Sequence, residues 1–164
     1  MRYRYWIAFG ASILLALVFI TAGVGKLMGQ SAFLLTVSSF IIREEFAAII
    51  AAWLPWVELV LGACLIIGIV PQLVAGISTL LVAGFIMHNG WMISQGLGHK
   101  ACGCLGILEK MFLGELSTVG SLYVDIGLIV LALAIYLVYP GKLLNVRPWF
   151  LGWREIVESS STKE

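Results

Sequence analysis

Two cysteines stand one residue apart in the stretch His99-Lys100-Ala101-Cys102-Gly103-Cys104-Leu105-Gly106. A disulfide holds its two α-carbons about 4.4–6.8 Å apart, with a defined torsion. Residues at i and i+2 reach that range only where the backbone between them bends sharply, and Gly103 permits the bend. The ring so closed is small and strained. Strained, exposed disulfides are the oxidising, labile kind, suited to exchange and poorly suited to structural stapling. Lys100 and His99 favour the thiolate, which is the attacking form. The pattern points to a reversible redox pair, Cys102 and Cys104. Metal binding by His99, Cys102 and Cys104 leaves a tetrahedral zinc site one ligand short. The plain alternative is two unpaired loop cysteines, which an oxidising compartment disfavours. Cys64 differs, because it lies deep in an apolar run where cysteine is usually a small hydrophobe.

A second set of residues is chemically conspicuous for where it falls. Glu58, His88 and Asp125 lie within long apolar runs, and Lys26 closes another. Each ionised group in hydrocarbon costs about 2.5 kcal/mol or more, so such side chains are expected to face a protein interior. Helix periodicity puts Pro55, Glu58 and Gly62 on one face. It likewise groups Gly84, His88, Trp91 and Gln95, then Ser121 with Asp125, and Gly23 with Lys26. By depth, Lys26, His88 and Asp125 fall in the half nearer the cysteines, and Glu58 lies near the middle. Polar pairs between membrane helices are common as glue. The sharper expectation is a proton path or quinone headgroup site beneath the cysteine loop. Dithiol oxidation releases two protons and quinone reduction consumes two. Trp56 and Trp91 could flank a ring, although Trp near a membrane interface needs no such role.

The elements that must position these residues follow from composition. The chain has 164 residues, of which 61% are hydrophobic and 12% charged, and its mean hydropathy is +1.04. Soluble domains carry roughly 25% charged residues. A soluble domain, a disordered chain, a coiled coil and a disulfide-stapled miniprotein are therefore excluded, and the bilayer is the solvent for most of the chain. A net charge of +1 argues against nucleic acid, which demands a basic surface.

Crossing a bilayer takes about 20 apolar residues. Four runs qualify, at about 5–27, 46–70, 72–95 and 116–139. The first has basic residues ahead of it, as a signal peptide would, but it is longer than the usual h-region of about 7–15 residues. The expected fold is all-α, an integral-membrane four-helix bundle in a single domain. Phe33, Leu34, Val37, Phe40 and Ile41 recur at helical spacing between spans one and two, which predicts a short interfacial helix on the outer surface. Pro71-Gln72 joins spans two and three as a tight turn. Residues 140–164, with Trp149, Phe150 and Trp153 beside Arg147 and Arg154, read as an interfacial cytoplasmic tail.

Arg2, Arg4, Lys142, Arg147, Arg154 and Lys163 lie at the two ends, against Lys26, Arg43, Lys100 and Lys110 in the first and third connections. This six-to-four bias predicts cytoplasmic termini and an extracytoplasmic cysteine loop in the cell membrane.

Two motifs resemble the DoxX-like superfamily of four-helix membrane proteins. The first span ends in Ala22-Gly23-Val24-Gly25-Lys26-Leu27, similar to an Ala-Gly-x-x-Lys-Leu pattern. The second carries Pro55-Trp56-Val57-Glu58 followed by Gly62, similar to Pro-x-x-Glu-x-x-x-Gly. Cys102-Gly103-Cys104-Leu105-Gly106, with Asp125 in the next span, resembles the MauE (methylamine-utilisation) branch, where Phe commonly stands in place of Leu105. The resemblance spans about residues 5–139. It implies a redox-associated membrane protein: the MauE branch is linked to maturation of a disulfide-rich periplasmic dehydrogenase, and DoxX relatives to quinone-linked sulfur oxidation.

The function expected is exchange of electrons or disulfides through Cys102 and Cys104 with a periplasmic thioredoxin-like or disulfide-containing partner, with quinone as a coupled carrier. The alternative is a non-catalytic scaffold subunit of a larger membrane complex. A small transporter fits less well, since four helices leave little room for a solute path. Nucleotide-binding, Ser/His/Asp and haem-attachment patterns are missing from the sequence.

Overall fold

The computed structural model describes residues 2–40, 43–98 and 117–138. In hydrocarbon every backbone amide must find its partner within the chain, and a helix does so residue by residue. The described residues form five helices: α1 (Arg2–Met28), α2 (Gln30–Phe40), α3 (Glu44–Ile67), α4 (Pro71–Ser94) and α5 (Thr118–Val138). All but α2 are long and apolar enough to cross a membrane. The fold is thus the expected all-α bundle, and the short helix expected between the first two spans is α2. The cysteine connection around Cys102 and Cys104, and the 140–164 tail, lie outside the described residues.

α3 stops three residues before the expected boundary, for a local reason. Gly68 takes a left-handed conformation (φ 80°) and its N–H donates to the Cys64 carbonyl at 2.8 Å. Ile69 N–H donates to the same oxygen at 3.1 Å. This glycine C-cap satisfies the last carbonyls and turns the chain out of the helix axis. Val70 is also left-handed (φ 48°), an unusual state for a β-branched residue. Pro71 then starts α4, where its missing N–H is no loss and its fixed φ suits the first turn.

The long helices form a ring in the order α1, α3, α4, α5. α1 packs extensively on α3, and α4 on α5; α1 also lies along α5, whereas α3 meets α4 over a short stretch. The core between them is apolar, built from Leu15, Phe19, Leu61, Leu65, Val82, Leu128 and Ile135 with small alanines between. Leu14, Leu17, Val60, Leu80, Val130 and Leu137 point outward and are exposed. Helices apolar on every side belong in lipid.

Two glycines set the register of α1 against α3. A Cβ on Gly23 would lie 2.9 Å from the Pro55 carbonyl oxygen, and one on Gly62 would lie 2.7 Å from Ile20 Cγ1. Only hydrogen fits at either place, so the two backbones approach closely, as small residues allow in membranes. With Gly23 level with Pro55–Leu59 and Gly62 with Ala16–Ile20, the first turns of α3 run past the end of α1. There they pack against α2.

Candidate functional site

The glycine register brings two distant charges together. Lys26 is two residues from the end of α1, whereas Glu58 lies fourteen residues beyond Glu44, about 21 Å along α3. Lys26 Nζ donates to Glu58 Oε1 at 2.6 Å and to Oε2 at 2.9 Å. Both side chains are fully buried. An ion pair removed from water is tolerated when its geometry is good and its hydrogen-bonding capacity is used, as here.

Aromatic faces complete the surroundings of the ammonium. Nζ lies 4.9 Å from the ring centroid of Phe85 in α4 and 5.5 Å from that of Phe33 in α2. Both are within cation–π range. Phe33 is itself buried. It is placed by the near-continuous run of α1 into α2: Gly29 N–H donates to Gly25 O, and Phe33 N–H to Gly29 O, each at 3.0 Å. α2 therefore covers the ion pair with an apolar ring.

Across the bundle, Asn89 Nδ2 donates to Asp125 Oδ2 at 2.7 Å. Both are buried, as are Ser121, one turn before Asp125, and Thr118. Asp125 and Lys26 lie within electrostatic reach of one another. All five helices thus contribute to one polar centre at the end of the bundle where α1 and α4 finish and α5 begins. Among the described residues, the buried side-chain polar atoms without a hydrogen-bond partner are the hydroxyls of Ser12 and Ser78, and neither belongs to this centre.

The structure brings Lys26 to Glu58, but on α4 it is Asn89 that meets Asp125. His88, one position earlier, is partly buried. The inward face of α4 runs through Val74, Ser78, Val82, Asn89 and Met92, not through Gly84, His88, Trp91 and Gln95. Trp56 and Trp91 are both exposed, so neither flanks a ring inside the bundle. Asn89 carried a usable signal, since it recurs with Ser78 and Val82 at helical spacing in an apolar run. Phe33 and Phe85 carried none, being two aromatics among many. Cys64 is half-buried against the apolar core.

Cys102 and Cys104, with His99 and Lys100, lie outside the described residues; the two ends of their connection do not. After α4 the chain turns through Gly96 (φ 75°), with Leu97 N–H donating to Met92 O at 3.0 Å. Gly98 then comes so close to α5 that a Cβ there would touch Val119 Cγ2 at 3.5 Å. The connection thus leaves and re-enters the bundle beside the polar centre. Among the described residues no three His, Cys, Asp or Glu side chains gather as a metal ion would require.

The family model described as Methylamine utilisation protein MauE matches residues 4–138. That span takes in nearly all of α1 and the whole of α2 to α5, with both polar pairs and the cysteine connection. No curated protein and no solved structure matches.

Proposed function

The chain belongs to the methylamine utilisation MauE family of membrane proteins, and from that premise we propose that it exchanges electrons with a periplasmic partner through Cys102 and Cys104. The observation that carries this reading is the closure of Gly98 onto Val119. The first cysteine is four residues further on, which is at most about 14 Å of extended chain. The end of the bundle from which the Cys-Gly-Cys segment is suspended is the one that holds the buried ionisable groups Lys26, Glu58 and Asp125, with His88 next to Asn89 on α4.

The exchange balances as a two-electron, two-proton step. The Cys102 thiolate attacks one sulfur of a partner disulfide, forming a mixed disulfide and releasing a partner thiolate. Cys104 then attacks the Cys102 sulfur, closing the Cys102–Cys104 bond and freeing the second partner thiol. Two protons leave the chain and two are taken up by the partner. The reverse sequence reduces the chain, and a quinone accepts the same two electrons and two protons to become a quinol. The six-to-four basic asymmetry supports cytoplasmic termini and a periplasmic cysteine connection. A thioredoxin-like protein is the partner class this chemistry suits. The wider DoxX-like kinship gains support from the pairing of Lys26 with Glu58, since these are the charged residues of its two motifs.

Gel-shift trapping of thiols in intact cells tests the reading. After mild reduction, a membrane-impermeant alkylating reagent is expected to modify Cys102 and Cys104 but not Cys64. Cys104→Ser is expected to accumulate a mixed disulfide between Cys102 and the partner. Full pathway function in the Cys102→Ser/Cys104→Ser double variant would overturn the redox role and leave the scaffold-subunit alternative.

A further inference from the structure

Among the described residues, the polar centre does not balance in charge as its groups would ionise in water. They place there one ammonium, Lys26, and two carboxylates, Glu58 and Asp125, all buried. Among the described residues, the contacts that reach them from α2 and α4 come from neutral groups: Phe33 of α2, and Phe85 and Asn89 of α4. His88 is the other titratable side chain on that part of α4, and it is only partly buried. With all three central groups ionised the cluster carries one net negative charge inside hydrocarbon, which is the costly state. A single added proton makes it neutral.

The contacts indicate where that proton resides. Lys26 gives a hydrogen to each oxygen of Glu58, which uses that carboxylate in its ionised, acceptor-only form. Asp125 receives a hydrogen on Oδ2 from the neutral amide of Asn89, and Oδ1 can carry a hydrogen of its own. We propose that Asp125 is held protonated while Glu58 stays ionised against Lys26, so that the centre is a store of one exchangeable proton at the end of the bundle from which the cysteine connection departs. The store rests on the contacts and charges within the bundle. Its use rests on the function proposed above: when a partner dithiol reduces the Cys102–Cys104 disulfide, it gives up two electrons and two protons and becomes a disulfide, while the two new thiols of the chain take up two protons. Asp125 supplies one of these and water the other; the partner's two protons pass to water, from which Asp125 is refilled.

Asp125 is the only aspartate in the chain, so the full-length protein can be read at this one group without mutation. Protein made by cell-free synthesis with aspartate carrying 13C at the side-chain carboxyl is purified into lipid nanodiscs. Its infrared spectrum is recorded at neutral pH. A carboxylic-acid C=O band that moves to lower frequency with the label, shifts in D2O and is absent from Asp125→Asn is the expected result. A label that moves only the carboxylate bands overturns the proposal, whether the balancing charge is then a protonated His88 or another cation. An unlabelled carboxylic-acid band lost in Glu58→Gln, with no labelled one, overturns it too by placing the proton on Glu58.

Time-resolved difference spectra after rapid reduction separate the store from its use. The labelled band is expected to be lost transiently and then restored as Asp125 refills in the wild-type protein, and to stay constant throughout in Cys102→Ser/Cys104→Ser. A labelled band that is present yet indifferent to a demonstrated thiol–disulfide change supports the store and overturns its use by the cysteines. Cysteines that cannot be cycled at all overturn the redox function while the resting band still decides the store.

Discussion

Removing either member of the Lys26–Glu58 pair strands the other's charge among apolar side chains. Breaking a buried pair in this way costs about 3–5 kcal/mol, whereas replacing both partners with apolar residues of similar size is often neutral or stabilising. Lys26→Met and Glu58→Leu are each expected to lower stability by about that amount, and the double variant to recover most of it. Unfolding of the purified proteins in detergent is the measurement; a double variant as unstable as the sum of the singles would show that the pair is not a coupled unit. At this scale the sequence was readable for residue type and only partly for partnership. An ionisable side chain in an apolar run announces itself by its cost, which is why Lys26, Glu58 and Asp125 stood out. The pattern does not distinguish Asn89 from His88, because α4 is apolar on most of its circumference. Its pattern therefore defines the inward face poorly, and one residue is a turn of about 100° on a helix with 3.6 residues per turn.

At the scale of the helices, the contact between α1 and α3 depends on two hydrogens. An Ala Cβ at Gly62 would meet Ile20 Cγ1 at 2.7 Å and the Ala16 carbonyl oxygen at 3.1 Å. Gly62→Ala is thus expected to push the helices apart and to cost about 1–3 kcal/mol, loosening the Lys26–Glu58 bond as it does so. Gly84→Ala on the exposed side of α4, where nothing lies within 4 Å, is expected to change stability by less than about 0.5 kcal/mol. Unfolding midpoints of the two variants side by side provide the check, and equal losses would refute the register argument. Helix existence was legible throughout, since about 20 apolar residues in a row can satisfy their backbone in lipid in few other ways. The end of α3 was harder to place. Gly68 ends the helix through a backbone conformation, and the apolar Ile69 and Val70 beyond it look like more span. The α2 pattern predicted a helix correctly, but the burial of Phe33 over Lys26 depends on the offset between α1 and α3, which no local periodicity contains.

For the molecule as a whole, composition pointed to the bilayer, because 12% charged residues is about half the share a soluble domain carries, and the four apolar runs of about 20 residues pointed to an all-α bundle. The arrangement of the two polar pairs was not visible at that level. Lys26 and Glu58 are 32 positions apart within the first two spans, and Asn89 and Asp125 are 36 apart within the last two. The helices that carry each pair are also the ones in broadest contact, while the seam between α3 and α4 is short. During synthesis, then, the leading hairpin can neutralise its own lysine before the trailing hairpin has left the ribosome, and the trailing hairpin arrives with its aspartate already bonded. Neither needs the other as an escort into the bilayer. A gene cut between the codons for Ile69 and Val70 should consequently yield two polypeptides that insert independently and co-purify as one particle.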